Sequence, residues 1–195
     1  MEIVALAMAI AVVAGLGLGV ASARSDRIAS VALSVTSTLL TVPSFALFGL
    51  LSIWVGLENP PVVIGLALYA LLPVVRGTLT GIHSVDPAVI EAARGMGMGG
   101  GRRLLRIELP LAAPVILAGI RQATVMVVAI ATVGATVGAN DLGQPILEAI
   151  GRSSGTIERI LAGVIPVALI GLLADGFLAL VQRFLARGRV AVSAT

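Results

Sequence analysis

Uncharged apolar runs alternate with short polar segments along this chain, at lengths that suit a lipid bilayer. Residues 3–21 (IVALAMAIAVVAGLGLGVA) form the first run, long enough as a helix to cross a hydrocarbon core of about 30 Å. A signal peptide is the competing reading, because Ala21-Ser22-Ala23 resembles a cleavage site; the missing basic residues ahead of the run argue against it. Residues 28–57 form a second run, long for one helix and short for two, with Pro43 in its middle as the expected kink or break. Residues 61–80, 112–137 and 160–182 predict three more spans. The expectation is one all-α, polytopic domain over residues 1–195, with five spans, or six if residues 28–57 make two. No repeat of 20–50 residues divides the chain.

The longest polar interruption, residues 83–110, is itself patterned. Asp86 is a good N-cap and Pro87 fits a first helical position, so a short helix should open there. Val89, Ile90 and Ala93 give that helix an apolar face. Glycines at 95, 97, 99, 100 and 101 then end it. A second short helix, Arg102 to Glu108, is expected to be closed by Pro110. On its residues alone, this segment is either an amphipathic loop on anionic headgroups or a docking element for a cytoplasmic protein.

Composition narrows the function. Hydrophobic residues make up 58% of the chain and charged ones 12%, with a mean hydropathy of +1.09, too little polar surface for a globule of this size. All 13 basic residues are arginine, so no P-loop lysine or lysine base exists here. The absence of cysteine removes thiolate chemistry and disulfides, and the single histidine, His83, cannot make a paired metal site. An intramembrane serine hydrolase would have Ser34, Ser37 or Ser44 but no basic partner beside them. Aromatics at 3% argue against a nucleic-acid reader. The arginines lie between the runs instead. With residues 83–110 cytoplasmic, Arg24, Arg27, Arg94, Arg102, Arg103, Arg106, Arg183, Arg187 and Arg189 fall inside and only Arg152 and Arg159 outside, which sets the N-terminus outside and the C-terminus in the cytoplasm. The pairs Gly15/Gly19 and Gly134/Gly138 have small-xxx-small spacing, but a chain with 23 glycines makes such pairs by chance, and neither is taken as a helix contact.

Within residues 86–110 (DPAVIEAARGMGMGGGRRLLRIELP), Glu91-Ala92-Ala93, Gly97, Ile107, Leu109 and Pro110 follow the spacing EAA-x₃-G-x₉-I-x-LP. This resembles the coupling segment of inner-membrane permease subunits in binding-protein-dependent ABC importers. The runs TVPSFALFGLL (41–51), LYALLPVVRGTLTGI (68–82), LPLAAPVILAGIRQAT (109–124) and GLLADGFLALVQR (171–183) are similar to the osmoprotectant branch, which imports glycine betaine, carnitine, choline or proline. Two stretches depart from it: the glycine-rich GMGMGGGRR, and Asn140-Asp141 where glycines are frequent.

The resemblance implies a type I importer permease in the bacterial inner membrane, with a cytoplasmic coupling helix pair and no catalytic residue, cofactor or metal of its own. ATP and Mg would be held by a partner ABC ATPase dimer. The other implied partners are a second permease subunit, identical or not, an extracytoplasmic binding protein and lipid; no nucleic acid is expected. Glu91, Ala92, Ala93, Gly97, Ile107, Leu109 and Pro110 are the implied ATPase-coupling residues. An amino acid or other small solute on the same fold is the alternative cargo, and a non-transporting scaffold the remote one. Thr41, Pro43 and Ser44 are candidate lining of the path, because a proline-broken helix frees carbonyls that a polar cavity can satisfy. Arg121 is expected about 14 Å, and Asp175 about 10 Å, from the cytoplasmic ends of their spans at ~1.5 Å per residue. Asp175 should therefore pair with Arg121, with Arg76 at similar depth as the competitor, since unpaired intramembrane charge is rare; the alternative is that both arginines snorkel toward the cytoplasmic headgroups. Trp54 reads as an interfacial anchor.

Overall fold

The structure, a computed structural model, describes residues 1–151 and 157–190; Arg152 lies outside the described residues. The helices are α1 (Glu2–Ser22), α2 (Asp26–Thr41), α3 (Ser44–Val55), α4 (Asn59–His83), α5 (Pro87–Gly95), α6 (Gly100–Val137), α7 (Gln144–Gly151) and α8 (Ile157–Val190). Four of them, α1, α4, α6 and α8, are long and apolar enough to cross a membrane. The run 28–57 resolves into α2 and α3, which meet at a 96° bend, so together they make at most one broken crossing. Val42 and Pro43 at the bend are extended (ψ 127° and 132°), as a residue before proline prefers. Tyr69 of α4 donates to the Val42 carbonyl at 2.8 Å and ties the bend to the core.

The central element is α4, against which α1, α2, α3 and α6 all pack. In its most apolar stretch 78% of the residues are buried, against 6% in α8, which leans on α6 and α7 at the edge. The core joins Phe48, Leu66, Tyr69, Val74 and Val127, all buried. Burying side chains of this size contributes about 1.5–3 kcal/mol each in water-to-apolar transfer; in lipid that driving force is absent, and close backbone approach replaces it. The glycines show where. A Cβ at Gly15 would stand 2.6 Å from Val74 Cγ1, one at Gly19 2.6 Å from Thr78, and one at Gly77 2.9 Å from the Gly119 Cα. The Gly15/Gly19 pair, discounted from sequence, is thus the seam between α1 and α4. Gly134 and Gly138 are no such seam: Gly134 packs under Val62 and Asp141, whereas Gly138, at φ +83°, has open space where a Cβ would point.

The helix begun at Gly100 does not close at Pro110, contrary to the sequence expectation. It passes through one π turn, Leu104–Glu108, and runs on as the span. Proline lacks an N–H and crowds the carbonyl four residues back, here that of Arg106, and the wider π turn makes that accommodation without ending the helix. Only Gly97 and Gly99 therefore belong to the turn; Gly95 is the last residue of α5, and Gly100 and Gly101 open α6.

Candidate functional site

The short helix α5 hangs from the end of α4 on a capped turn. Asp86 Oδ1 accepts from the Ala88 N–H at 2.8 Å, with Pro87 in the first turn. At its other end the Met98 N–H bonds the Ala93 carbonyl (3.1 Å) and the Gly97 N–H bonds the Arg94 carbonyl (2.9 Å). These two bonds define a Schellman stop with Gly97 at the left-handed position, φ +77°. A residue with a Cβ reaches that conformation only at a cost of about 1 kcal/mol or more. The spacing of the glycine behind Glu91-Ala92-Ala93 has this local cause. Ala93 is fully buried, while Glu91 and Ala92 are exposed together with Val89 and Met96. Val89, Ala92 and Met96 fall three and four residues apart, on one outward stripe.

Behind α5, Leu104 and Leu109 pack against Ile82, Ala112 and Ile116. Ile107 is half-buried, and Pro110 is exposed in the first turn of the longer α-helical stretch. Arg103 Nε donates to Glu108 Oε1 at 2.6 Å. Five residues apart, they would not be neighbours on a regular α-helix; the π turn brings them together, a pairing the sequence reading missed. His83 Nε2 lies 3.1 Å from the Ala23 carbonyl and holds the α1–α2 turn to this end of α4.

Inside the spans, Arg121 makes a two-pronged contact with Asp175, Nε to Oδ1 at 2.9 Å and Nη2 to Oδ2 at 2.8 Å. A third donor, Nη1, reaches Gln182 Oε1 at 2.9 Å, and Gln182 in turn donates to the Pro114 carbonyl at 2.8 Å. This clamp holds α8 to α6. Gln182 was not singled out from sequence, and its place two turns after Asp175 was the available signal. Arg76 is not part of the clamp and stands exposed on α4. Thr41 and Pro43 are exposed and Ser44 half-buried at the α2–α3 bend; the Thr41 hydroxyl is turned back onto the Thr38 carbonyl at 2.7 Å. Trp54, at the other end of α3, is 82% exposed.

At the end opposite α5, Asn59 Oδ1 accepts from the Asn140 N–H at 3.3 Å, and Asp141 Oδ1 accepts from the Gly143 N–H at 2.7 Å. Asp141 Oδ2 is buried with no partner among the described residues. Burial pushes this carboxyl above the ordinary aspartate range. Among the described residues no three His, Asp or Glu side chains gather into a set that could hold a metal ion.

A bundle of apolar spans with one short capped helix displayed at one end is the architecture of a multi-pass membrane protein. The family model of the binding-protein-dependent transport system inner membrane component matches residues 11–187, and the chain belongs to that family. It is a permease subunit of the inner membrane. It is 41% identical over 163 residues to the carnitine transport permease protein OpuCD of Listeria monocytogenes, covering 84% of this chain and 73% of that one. Identity to the Bacillus subtilis glycine betaine/carnitine/choline transport system permease protein OpuCD is 39%, over 84% of this chain and 71% of that one. It is also 39% to the osmoprotectant import permease protein OsmW of Salmonella typhimurium, over 90% and 83%. Among solved structures, the inward-facing MetNI methionine ABC transporter superposes with a TM-score of 0.80 at 19% identity, covering 94% of this chain and 91% of that one, a likeness of fold.

Proposed function

We propose that this chain is the permease subunit of an ABC importer for an osmoprotectant such as glycine betaine, carnitine or choline. The observation that supports this most is the identity of about two residues in five, over most of the chain, to permeases named for those solutes. In this reading two copies, or this chain and a sister, enclose the path. A cytoplasmic ABC ATPase dimer, holding ATP and Mg, sits beneath them, and an extracytoplasmic binding protein delivers solute from above. The α5 end faces the cytoplasm and the N-terminus lies outside, as the arginine placement favours.

The coupling role falls to α5. Its outward stripe of Val89, Ala92 and Met96, with Glu91 beside it, suits insertion into a cleft on the ATPase: the small alanine permits close approach and Glu91 offers an anion to a basic partner. The Gly97 stop fixes the angle between α5 and the first turn of α6, so a push on α5 is delivered to the Arg121–Asp175 clamp further along the same helix. The test is a reconstituted complex of permease, ATPase and binding protein in vesicles. Glycine betaine should raise ATP hydrolysis and accumulate inside. Stimulation by an amino acid other than proline, with none by glycine betaine, carnitine, choline or proline, would overturn the osmoprotectant assignment while leaving the family intact.

A further inference from the structure

Three ionic side chains lie well inside the spans: Arg76, Arg121 and Asp175. The clamp consumes one of each sign, because both oxygens of Asp175 are engaged by Arg121. Arg76 is left over. It sits seven residues from the end of α4, about 10 Å deep at ~1.5 Å per residue. Among the described residues it has no ion-pair or hydrogen-bond partner. A lone intramembrane charge of this kind either stays fixed on headgroups, on trapped water or on a second subunit, or it holds an anion that comes and goes.

Its surroundings favour the second. Arg76 flanks a close approach of α4 and α6, the Gly77–Gly119 contact. Thr80, one turn along α4, and Gln122, one turn past Gly119 on α6, are exposed too. Positions 74 and 78 of α4 are occupied by α1 and positions 75 and 79 pack with α2, so Arg76 looks out of the face that neither covers. On that face a guanidinium, an amide and a hydroxyl offer donors, the complement of a carboxylate.

We infer that Arg76 receives the carboxylate of a zwitterionic substrate during its passage, with Gln122 and Thr80 as hydrogen-bonding neighbours. The inference rests on the osmoprotectant reading and narrows it to the chemical class of trimethylammonium carboxylates. The ammonium end would call for an aromatic cage, and this chain has six aromatic residues in all, of which Tyr69 is buried with its hydroxyl occupied. The end this chain is equipped to hold is the anionic one. A cation without a carboxylate, such as choline, would be repelled at the same place.

The test uses the complete transporter in vesicles, with saturating binding protein so that maximal rates report the permease. Arg76→Gln should cut glycine betaine uptake by roughly tenfold or more, the order expected for losing a charge-assisted pair, and leave choline uptake unchanged or faster. Arg76→Lys should retain more of it. In this cysteine-free chain, Arg76→Cys treated with an aminoethyl thiosulfonate regains a cation and should regain glycine betaine uptake, whereas a methyl thiosulfonate should restore none. Equal loss of both solutes, or loss of permease assembly on size exclusion, overturns the inference by showing a structural charge or a pair with the second subunit. Uptake unaffected by Arg76→Gln overturns it as well, and so does a wild type that carries choline but not glycine betaine. If glycine betaine alone is carried, charge rescue decides. A wild type that moves neither shows, before any variant is made, that the osmoprotectant reading has failed, and the inference falls with it.

Discussion

Two uncovered surfaces of this bundle differ in kind. Along α1 from Ala5 to Ala21, and along α8 from Leu161 to Leu180, every exposed residue is apolar or glycine, among them Leu6, Val13, Leu169, Leu172 and Phe177. Along α2, α4 and α6 the exposed positions include Ser34, Thr38, Thr41, Arg76, Thr80 and Gln122. The hydroxyls alone do not separate the two, because Ser37, Thr38 and Thr41 bond to carbonyls of their own helix and so tolerate lipid. The side chains that cannot be satisfied within their own turn, Arg76 and Gln122, make the distinction. The first surface is fit for acyl chains. The second needs water, a partner subunit or a solute.

The largest effect comes from putting the same charge on each surface. Leu172→Arg should cost about 2.5–3.5 kcal/mol of insertion free energy, as arginine does at the centre of a span. Thr38→Arg should insert close to normally. Glycosylation-tagged insertion of both variants measures the difference, and equal insertion would erase the distinction between the surfaces. Thiol labelling sharpens it further: Thr38→Cys and Ser44→Cys should react with a water-soluble reagent, in a manner that changes with ATPase state, while Leu172→Cys should stay unreactive.

Next in size is the clamp, which fixes the lipid-facing α8 to the rest. Arg121→Gln and Asp175→Asn should each lower the yield of assembled permease by roughly an order of magnitude, because each leaves the other charge without a partner. The exchange Arg121→Asp with Asp175→Arg should recover part of it, less than fully, since Gln182 is placed to accept from the guanidinium where it now stands. If the exchange does no better than either single change, the contact adds nothing to assembly.

How far these features could be read from the chain depends on their physical range. Span lengths, the Asp86 cap and the stop around Gly97 are local: they follow from hydropathy over some twenty residues, or from bonds between residues a few positions apart. The Gly97 position was legible because only a left-handed residue closes a Schellman turn there. The break at Pro43 was legible, but its 96° angle was not, since Tyr69, 27 residues away, holds it. Arg121 was the expected partner of Asp175, but depth alone could not dismiss Arg76 as a competitor, because depth along a span says nothing of azimuth around it. The continuity of α6 through Pro110 depended on a π turn with no sequence signature of its own.

A smaller effect is expected at the coupling turn. Gly97→Ala should destabilise the α5 stop by about 1 kcal/mol and Gly97→Val by more, with insertion normal. The loss should show as uncoupling: ATP hydrolysis that no longer responds to substrate, or an ATPase that fails to co-purify. Ala92→Trp, on the outward stripe, should do the same by steric block. Neutralising Arg102, Arg103 and Arg106 should matter less than either. The reverse ranking would make this segment a lipid-surface element, and wild-type coupling in the Gly97 and Ala92 variants would remove the docking role.

The smallest effect probes how dry the packed side of the bundle is, at Asp141. Its carboxyl lies beside a cavity of about 390 Å³ between α1, α6 and α8, and its Oδ2 is buried without a donor. Because burial raises the folded pKa above 3.8, the ionised form is disfavoured in the folded protein. The resulting penalty is absent below pH 3.8, sets in as pH rises through the window between 3.8 and the raised value, and is complete above that value. Asp141→Asn keeps the acceptor for the Gly143 N–H and removes the charge. It should therefore melt higher than wild type at pH 7, and the gap should close towards pH 3.8. Thermal unfolding of detergent-solubilised permease across that range reads both. A gap that stays constant with pH would mean that the carboxyl is solvated at this end, and that water reaches the seam between α1 and α6 from the end opposite α5.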